Sequence, residues 1–375
     1  MEFCLENSLS FEQPRPDEFE INIFGPGVGE CILMHLGHGD WFVIDSCRYP
    51  GSEKAAAIAY LEKIGLEPSI SIKRILATHW HDDHINGLAD IVRRCPNATF
   101  AMSAALEQSQ FFQLVFEVHE SNKLVAANST ASEFADILEY FASLGKEIVS
   151  ADVYVADGTM LYLGGLDESV RVQALSPSAQ TITSCMTDVV AKLTTVGGTR
   201  RFRHLAPNAL SVAVQVSTPA LDLLLKADLE NANTDQFGWQ AVLLSKLRTK
   251  RRSQFVKVGH HGSFNAHNDD VWDSMIASKP LSIVTPYSRL SEPLPKDSDV
   301  VRLMSRTDQL FATTWPPSRK PPRRRGIDAD VASATKSRHA VNREPGFVRA
   351  RFLLSDPSPI PKIEIYGSAK RMQNA

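Results

Sequence analysis

The chain has 375 residues, of which 43% are hydrophobic and 22% charged, proportions that are ordinary for a globular protein of one large or two smaller domains. The formal net charge of −3 argues against a globally basic nucleic-acid coat and leaves room only for local basic patches. Five cysteines without a C-x-x-C pair, no signal-peptide pattern after Met1 and no membrane-length apolar run predict a cytoplasmic protein that does not contact a membrane.

Short apolar runs alternate with one helical pattern at the start of the chain. The pattern predicts strands at 20–24, 31–35, 41–45 and 72–77, and a helix at 53–64. A glycine-rich turn at 25–30 joins the first two strands. It lacks the lysine of a phosphate-binding P-loop, so we interpret it as a tight hairpin turn.

The strand at 72–77 leads into the most unusual motif of the sequence, residues 78–84, which read T-H-W-H-D-D-H. The whole chain has 11 histidines, and three of them fall within this motif. Imidazole nitrogens and carboxylate oxygens are the ligands that Zn²⁺ and similar cations prefer. A loop at the end of a strand can aim several of them at one point, so the motif predicts a metal site. The alternative is a polar loop whose histidines face solvent.

The rest of the chain continues the alternation of strands and helices. Residues 103–147 are largely helical in pattern, with a capping box at 130–133. Further strands are predicted at 153–155, 160–163, 170–175, 211–216, 221–227, 255–258, 281–285 and 310–313. This rhythm favours sheets that are covered by helices, which is an α/β fold class.

The composition changes near the C-terminus. Residues 316–344 combine prolines with clustered arginines, which is typical of a mobile basic loop or linker. The sequence thus predicts a main domain at 1–315 with a helical insertion around 103–147, the basic loop at 316–344, and a β-hairpin at 345–375 that packs on the main domain. The alternative for the basic loop is a solvated segment that contacts no ligand.

The motif H-x-H-x-D-H after a strand resembles the central signature of the metallo-β-lactamase superfamily. Two later elements narrow the resemblance: a hydrophobic run that ends in Asp228, and a second run that leads into G-H-H-G-S at 259–263. This combination is similar to the metallo-β-lactamase domain of ComEC-type competence proteins and their free-standing relatives, some of which occur in bacterial phage-defence loci. The resemblance implies an αββα sandwich of two mixed β-sheets flanked by helices.

The resemblance also implies two divalent cations, with Zn²⁺ preferred and Mn²⁺ as the alternative. His79 and His81 would hold the first cation, Asp83 and His84 the second, and Asp228 would bridge them. Asp83 and Asp228 would therefore also belong to the catalytic group, because they hold the reacting centre.

The same resemblance assigns further residues. Two of these assignments have alternatives: the choice between His260 and His261, and the third ligand of the first cation. We expect His260 to complete the second site, with His261 supporting it from behind or touching the substrate as a catalytic residue. Asp45 and Ser263 would support the ligands without binding the metal. The superfamily has a glycine shortly after this aspartate, where the present chain has Cys47.

The third ligand of the first cation has two candidates. His204 lies 24 residues before Asp228, close to the spacing of the superfamily's histidine, whereas Asn208 matches the asparagine that ComEC-type domains have at this corner. His204 also adjoins the basic residues 200–203, so it could instead belong to a basic patch. If neither side chain binds the cation, the first site would be rich in water and weaker.

These observations predict a metal-dependent hydrolase, namely a phosphodiesterase or nuclease that acts on nucleic acid or nucleotides. Basic clusters at 200–203, 250–252 and 319–325 agree with that substrate, and Arg323, Arg324 and Arg325 are candidates for contacts with phosphates. One alternative is a lactonase, thioesterase or β-lactamase-like hydrolase, which an apolar cleft would favour. Another is a non-catalytic nucleic-acid-binding or sensor module on the same fold, against which the nearly complete ligand set argues.

Overall fold

Two β-sheets packed face to face make up the centre of the molecule. The computed structural model describes residues 4–6, 11–49, 51–104, 130–144, 152–165, 168–193, 207–288, 293–315, 346–357 and 359–372. Within these residues the first sheet has nine strands in the order β1-β16-β15-β2-β3-β4-β5-β6-β7. Their bounds are β1 Cys4–Glu6, β2 Glu18–Phe24, β3 Cys31–His35, β4 Trp41–Ile44, β5 Ile72–Ala77, β6 Thr99–Ser103, β7 Val153–Val155, β15 Phe347–Leu353 and β16 Lys362–Tyr366.

The second sheet has eight strands within the described residues, in the order β17-β14-β13-β12-β11-β10-β9-β8. They are β8 Met160–Gly164, β9 Val170–Ala174, β10 Val214–Ser217, β11 Asp222–Leu225, β12 Ser253–Lys257, β13 Ile276–Val284, β14 Leu310–Ala312 and β17 Lys370–Arg371. Both sheets mix parallel and antiparallel pairs: β4, β5, β6 and β7 run parallel in the first sheet, and β11 to β14 run parallel in the second.

Helices connect the strands, and most of them cover the outer face of a sheet. They are α1 Ala56–Lys63, α2 Pro68–Ser71, α3 Asp82–Ile85, α4 Leu88–Arg94, α5 Thr130–Ser143, α6 Ala179–Leu193, α7 Gly238–Leu244, α8 Asp269–Met275 and α9 Asp297–Arg306. Short 3₁₀ turns lie at Pro207–Leu210, His260–Gly262 and Phe264–Ala266. No helix in the described part of the chain is both long and apolar enough to cross a bilayer.

Three buried clusters show the layering. The middle cluster joins the facing sides of both sheets, and includes Ile21 on β2 and Leu223 on β11. One outer cluster lies between the first sheet and helices α1, α4 and α5, and the other between the second sheet and helices α7 to α9. Each fully buried large apolar side chain contributes about 1.5–3 kcal/mol. The layer order helix, sheet, sheet, helix confirms the predicted αββα sandwich.

The C-terminal strands are built into the first sheet. Strand β15 pairs antiparallel with β16 and, on its other side, with β2. Buried ion pairs accompany this register: Arg351 Nε contacts Glu20 Oε2, and Arg349 Nε lies 2.7 Å from Glu364 Oε2. The basic loop predicted at 316–344 and most of the predicted helical insertion, residues 105–129, lie outside the described residues.

Candidate metal centre

The candidate site lies where parallel strands of both sheets end. Thr78 and His79 follow β5, Asp228 comes three residues after β11, and His261 four residues after β12. The carboxyl ends of parallel strands form a common edge, which is where α/β sheets bind ligands. Short loops at this edge therefore bring residues from both halves of the chain to one place.

Unusual backbone geometry occurs in these loops. Asp45, Ala227, His260 and His261 all have φ between +42° and +59°, a region that non-glycine residues rarely adopt. Such conformations cost on the order of 1–3 kcal/mol each and persist where the surrounding structure holds them for a function. Four of the seven such non-glycine residues in the described part of the chain therefore lie in loops that carry the site's acids and imidazoles.

The first group of candidate ligands comprises His79, His81 and Asp228, whose ligand atoms all lie within 4.8 Å of one another. The His79 Nε2 atom lies 3.2 Å from His81 Nδ1 and 4.0 Å from Asp228 Oδ2. Burial holds the pKa of His79 well below its usual range. The imidazole is therefore neutral at physiological pH, which is the form that binds a metal.

The second group comprises His84, His261, Asp228 and Glu30, again within 4.8 Å of one another. The Nε2 atom of His84 lies 3.4 Å from Asp228 Oδ2, and that of His261 lies 3.8 Å from the same oxygen. Asp83 closes this group, since its Oδ2 lies 2.8 Å from His261 Nε2 and 3.7 Å from His84 Nε2. Asp228 belongs to both groups, which is the position of a bridging ligand.

The electrostatics of the second group suit a cation. Burial opposes ionisation of Asp83, but the imidazoles of His84 and His261 outweigh it and lower the pKa of this carboxyl. Burial would lower the pKa of His84 as well, but the carboxylates around it, led by Asp228 and Glu30, raise that pKa well above its usual range. In the absence of a metal, protons on the imidazoles balance the crowded carboxylates.

Two orphaned atoms test the fit to metal ions. Among the described residues, His84 Nε2 and Asp228 Oδ1 are buried and make no hydrogen bond, although buried polar atoms normally have a partner. Both atoms belong to side chains that converge on the second group. A donor set of imidazoles and carboxylates that contains such unsatisfied atoms fits Zn²⁺ or Mn²⁺.

A layer of hydrogen bonds behind the ligands orients them. The Nδ1–H of His84 donates to Asp45 Oδ2 at 2.7 Å, and Asp45 also accepts bonds from the backbone N–H and the hydroxyl of Thr78, at 2.8 and 2.7 Å. The Nδ1–H of His261 donates to the carbonyl oxygen of Thr285 at 2.7 Å. Each anchor leaves the Nε2 atom facing the site, and such anchors fix both tautomer and ring orientation.

The structure places His261 in the second group instead of His260, which differs from the assignment that the sequence favoured. The His260 side chain is 16% exposed, whereas that of His261 is 4% exposed. The 3₁₀ turn at His260–Gly262 explains the difference, because it directs the first imidazole towards the opening and the second inward. Ser263 ends the turn, and its backbone N–H donates to the carbonyl oxygen of His260.

His260 belongs to a polar cluster at the rim of the site. Its Nδ1 lies 3.0 Å from Asn265 Oδ1 and 3.2 Å from Glu230 Oε1, and its Nε2 lies 3.9 Å from Asp228 Oδ2. Asn208 donates from Nδ2 to Glu230 Oε1 at 2.7 Å and lies 3.4 Å from His260 Nε2. This cluster connects the 3₁₀ turn at Pro207–Leu210 to the metal loops.

Besides His79, His81 and the shared Asp228, the first cation could have a further ligand. The choice between the two sequence candidates, His204 and Asn208, stays open. Among the described residues, Asn208 Oδ1 is buried without a hydrogen-bond partner, so the amide has an oxygen to offer. His204 lies outside the described residues, as do the basic residues 200–203 and Arg323, Arg324 and Arg325.

The remaining basic cluster, residues 250–252, lies within the described residues, and it is distant from the candidate metal centre. It immediately precedes β12, whereas the metal loop follows the other end of that strand. A five-residue strand spans roughly 17 Å. Arg251 is moreover paired with Asp222 at 2.9 Å. This cluster therefore does not support substrate binding at the candidate metal centre.

Sequence reasoning missed Glu30 and Lys257, which are both almost fully buried. Glu30 closes the glycine-rich turn that we interpreted only as a hairpin. Gly29 allows that turn to approach the metal loop, since a Cβ there would lie 3.0 Å from the carbonyl oxygen of Asp83. The available signal was Lys257 in an apolar strand, because a buried lysine requires a partner.

Two comparisons with known proteins concern the sequence of the chain. The family model described as the metallo-beta-lactamase superfamily matches residues 24–146. A comparison with curated proteins gives no match.

Similar solved structures include the metallo-β-lactamase SMB-1 bound to 2-mercaptoethanesulfonate, at 17% identity over 61% of this chain and 70% of that chain, with a TM-score of 0.30. The metallo-β-lactamase fold protein YhfI from Bacillus subtilis is 10% identical over 78% of this chain and 95% of that chain, with a TM-score of 0.36. A HARLDQ-motif mutant of a metallo-β-lactamase from Cronobacter sakazakii is 14% identical over 59% of this chain and 65% of that chain, with a TM-score of 0.33.

The matched segment contains the H-x-H-x-D-H loop, and the described residues form two mixed β-sheets with helices on both outer faces. Residues 24–146, about a third of the chain, therefore carry the sequence pattern of the metallo-β-lactamase superfamily.

Proposed function

We propose that the protein is a metal-dependent hydrolase of phosphodiesters, acting on nucleic acid or nucleotides. The observation that carries the hydrolase assignment is the pair of ligand groups that share Asp228. Two divalent cations held there would activate a water molecule and neutralise charge on the substrate oxygens. The chain supplies a buried, preorganised set of ligands, and the orphaned atoms in that set support metal binding there.

The residues of the chain have separate tasks in this proposal. His79 and His81 would hold one cation, His84, Asp83 and His261 the other, and Asp228 would bridge them. Thr285 and Asp45 keep the imidazoles in the tautomer that exposes Nε2.

His260 is the imidazole at the opening, and Glu230 and Asn265 orient it. We propose that its side chain contacts the substrate, a task that the sequence had suggested for His261.

The choice of phosphodiesters rests on the resemblance to ComEC-type domains and on an acid at position 228. Phosphodiester hydrolysis requires neutralisation of a negatively charged substrate, which two cations provide. We propose Zn²⁺ or Mn²⁺ as the metal. Lactone, thioester and β-lactam substrates are the competing class.

A substrate panel tests the proposal. Purified protein is incubated with single- and double-stranded DNA, RNA, cyclic nucleotides, a lactone, a thioester and a β-lactam, with Zn²⁺ or Mn²⁺ and with a chelator control. We expect metal-dependent cleavage of a phosphodiester and loss of that cleavage in Asp228→Ala. The matched control is Asp222→Ala, which removes a buried acid at the other end of the same strand. Hydrolysis confined to the lactone, thioester or β-lactam would refute the phosphodiester assignment.

A further inference from the structure

A buried ion pair, Glu30 with Lys257, lies directly behind the second ligand group. We propose that this pair sets the charge behind that group and so tunes how tightly the group holds a cation. The inference rests on the proposed metal site and is independent of the substrate. Glu30 and Lys257 would be positioning residues, because they act through the two imidazoles and do not touch the substrate.

The pair crosses the interface between the two sheets. Glu30 immediately precedes β3 in the first sheet, and Lys257 is the last residue of β12 in the second. Lys257 Nζ lies 2.5 Å from Glu30 Oε1 and also contacts Oε2, while the hydroxyl of Thr285 donates to Oε2 at 2.5 Å. The Lys257 side chain is fully buried, and only 2% of the Glu30 side chain is exposed to solvent. The carboxylate is thus held by two partners from the opposite sheet.

Glu30 approaches both imidazoles of the second group from the same side. Its Oε1 lies 3.7 Å from Nδ1 of His84, and its Oε2 lies 3.8 Å from Nδ1 of His261. The Nε2 atoms of these rings face Asp83 and Asp228 instead. Glu30 is therefore behind the imidazoles in the observed arrangement, even though it is close enough to be counted in the ligand group.

The location gives the two charges opposite effects. Charges in a buried environment interact far more strongly than in water. Removing the charge of Glu30 leaves the Lys257 ammonium facing the site, where it repels a metal ion. Removing the charge of Lys257 leaves an uncompensated carboxylate there, which attracts one. Because the pair is neutral as a whole, loss of both charges should change the affinity little.

A purely structural bridge would behave differently. If the pair only held the two sheets together, both single variants and the double variant would loosen the site. All three would then bind the second cation more weakly. The direction of change in the single variants therefore separates the two explanations.

The experiment measures binding of Zn²⁺ alone by competition with a chromophoric chelator. The His81→Ala background removes one imidazole of the first ligand group and leaves only His79 and the shared Asp228 there, so that binding at the second group dominates the titration. We expect Glu30→Gln to weaken Zn²⁺ binding at least tenfold, and Lys257→Met to leave it unchanged or strengthen it. Weaker binding in both variants, or no change in either, would overturn the proposal.

A matched control uses the buried pair of Glu20 with Arg351, which lies in the same sheet away from the site. Glu20→Gln and Arg351→Met break an equally buried contact. They should lower the thermal stability to a comparable extent while leaving Zn²⁺ affinity within about threefold of the background. A change as large as that of Glu30→Gln would show that general loosening, and not local charge, controls the affinity.

The double variant Glu30→Gln/Lys257→Met covers the case in which a single variant does not fold. Replacement of a buried ion pair by neutral groups of similar size is often tolerated. We expect its Zn²⁺ affinity to stay within tenfold of the background, and a larger loss would refute the proposal. Because the readout is metal binding, failure of the phosphodiesterase assignment would leave this result intact.

Discussion

Asp45 offers the sharpest test of how the second ligand group is oriented. Its Oδ2 accepts bonds from His84 Nδ1–H and the Thr78 hydroxyl, both at 2.7 Å, and its Oδ1 accepts the Thr78 backbone N–H at 2.8 Å. The change Asp45→Asn preserves the shape of the side chain but replaces one acceptor oxygen with an NH₂ donor. If the remaining oxygen accepts the hydrogen bond from the Thr78 N–H, the NH₂ group faces His84 Nδ1.

That arrangement forces a change of tautomer. His84 Nδ1 would then have to accept a hydrogen bond, so the ring proton would move to Nε2, the atom that faces the cation. Losses of such supporting hydrogen bonds typically reduce metal affinity 10–100-fold, which corresponds to about 1.4–2.8 kcal/mol. The metal-free protein should also lose about 1.5–3 kcal/mol of stability, since a hydrogen bond to a charged group is lost.

The assay is a Zn²⁺ titration of Asp45→Asn by competition with a chelator, combined with ¹⁵N NMR of the imidazoles to read the tautomer. Asp40→Asn is the matched control, because Asp40 lies at the far end of the β3–β4 hairpin and accepts a bond from the Tyr162 hydroxyl at 2.9 Å. We expect the control to bind Zn²⁺ normally. Wild-type affinity in Asp45→Asn, with His84 in its original tautomer, would refute this account of the site.

Four further predictions concern the metal content, the two adjacent histidines, the predicted basic loop and the pH. Elemental analysis should find one to two transition-metal ions per chain and fewer in Asp228→Ala, which should also lose hydrolysis; full activity without metal would contradict the assignment. His261→Ala should lose the second cation, whereas His260→Ala should retain both and lose turnover, and the reverse pattern would restore the sequence-based assignment. Alanine at Arg323–Arg325 should raise KM on long nucleic acids and flatten the salt dependence, by a logarithmic slope of about 0.7 per lost contact, with cleavage of a small chromogenic phosphodiester unchanged. Burial alone would lower the pKa of His84, but the neighbouring carboxylates raise it well above its usual range, so a bound cation displaces a proton. The affinity for the cation should therefore fall about tenfold per pH unit on acidification for each proton displaced. Calorimetry in two buffers would detect this proton release.

The sequence by itself predicted the strands and the candidate ligands that come from a single loop. Alternating apolar runs predicted the strands, because the two-residue period of a strand is a local property. His79, His81, Asp83 and His84 are close in space because they are close in sequence. Asp228 was assigned through the resemblance to ComEC-type domains, and the structure places it at the edge of the sheet, three residues after β11.

Contacts between distant segments were decided only by the tertiary structure. Two adjacent histidines have the same local sequence context, so the orientation of the turn, and not their order, determines that His261 faces inward. Glu30 and Lys257 meet because the two sheets stack, although 227 positions separate them. No local pattern encodes that distance, and the energy of such a pair depends on burial that only the folded packing creates.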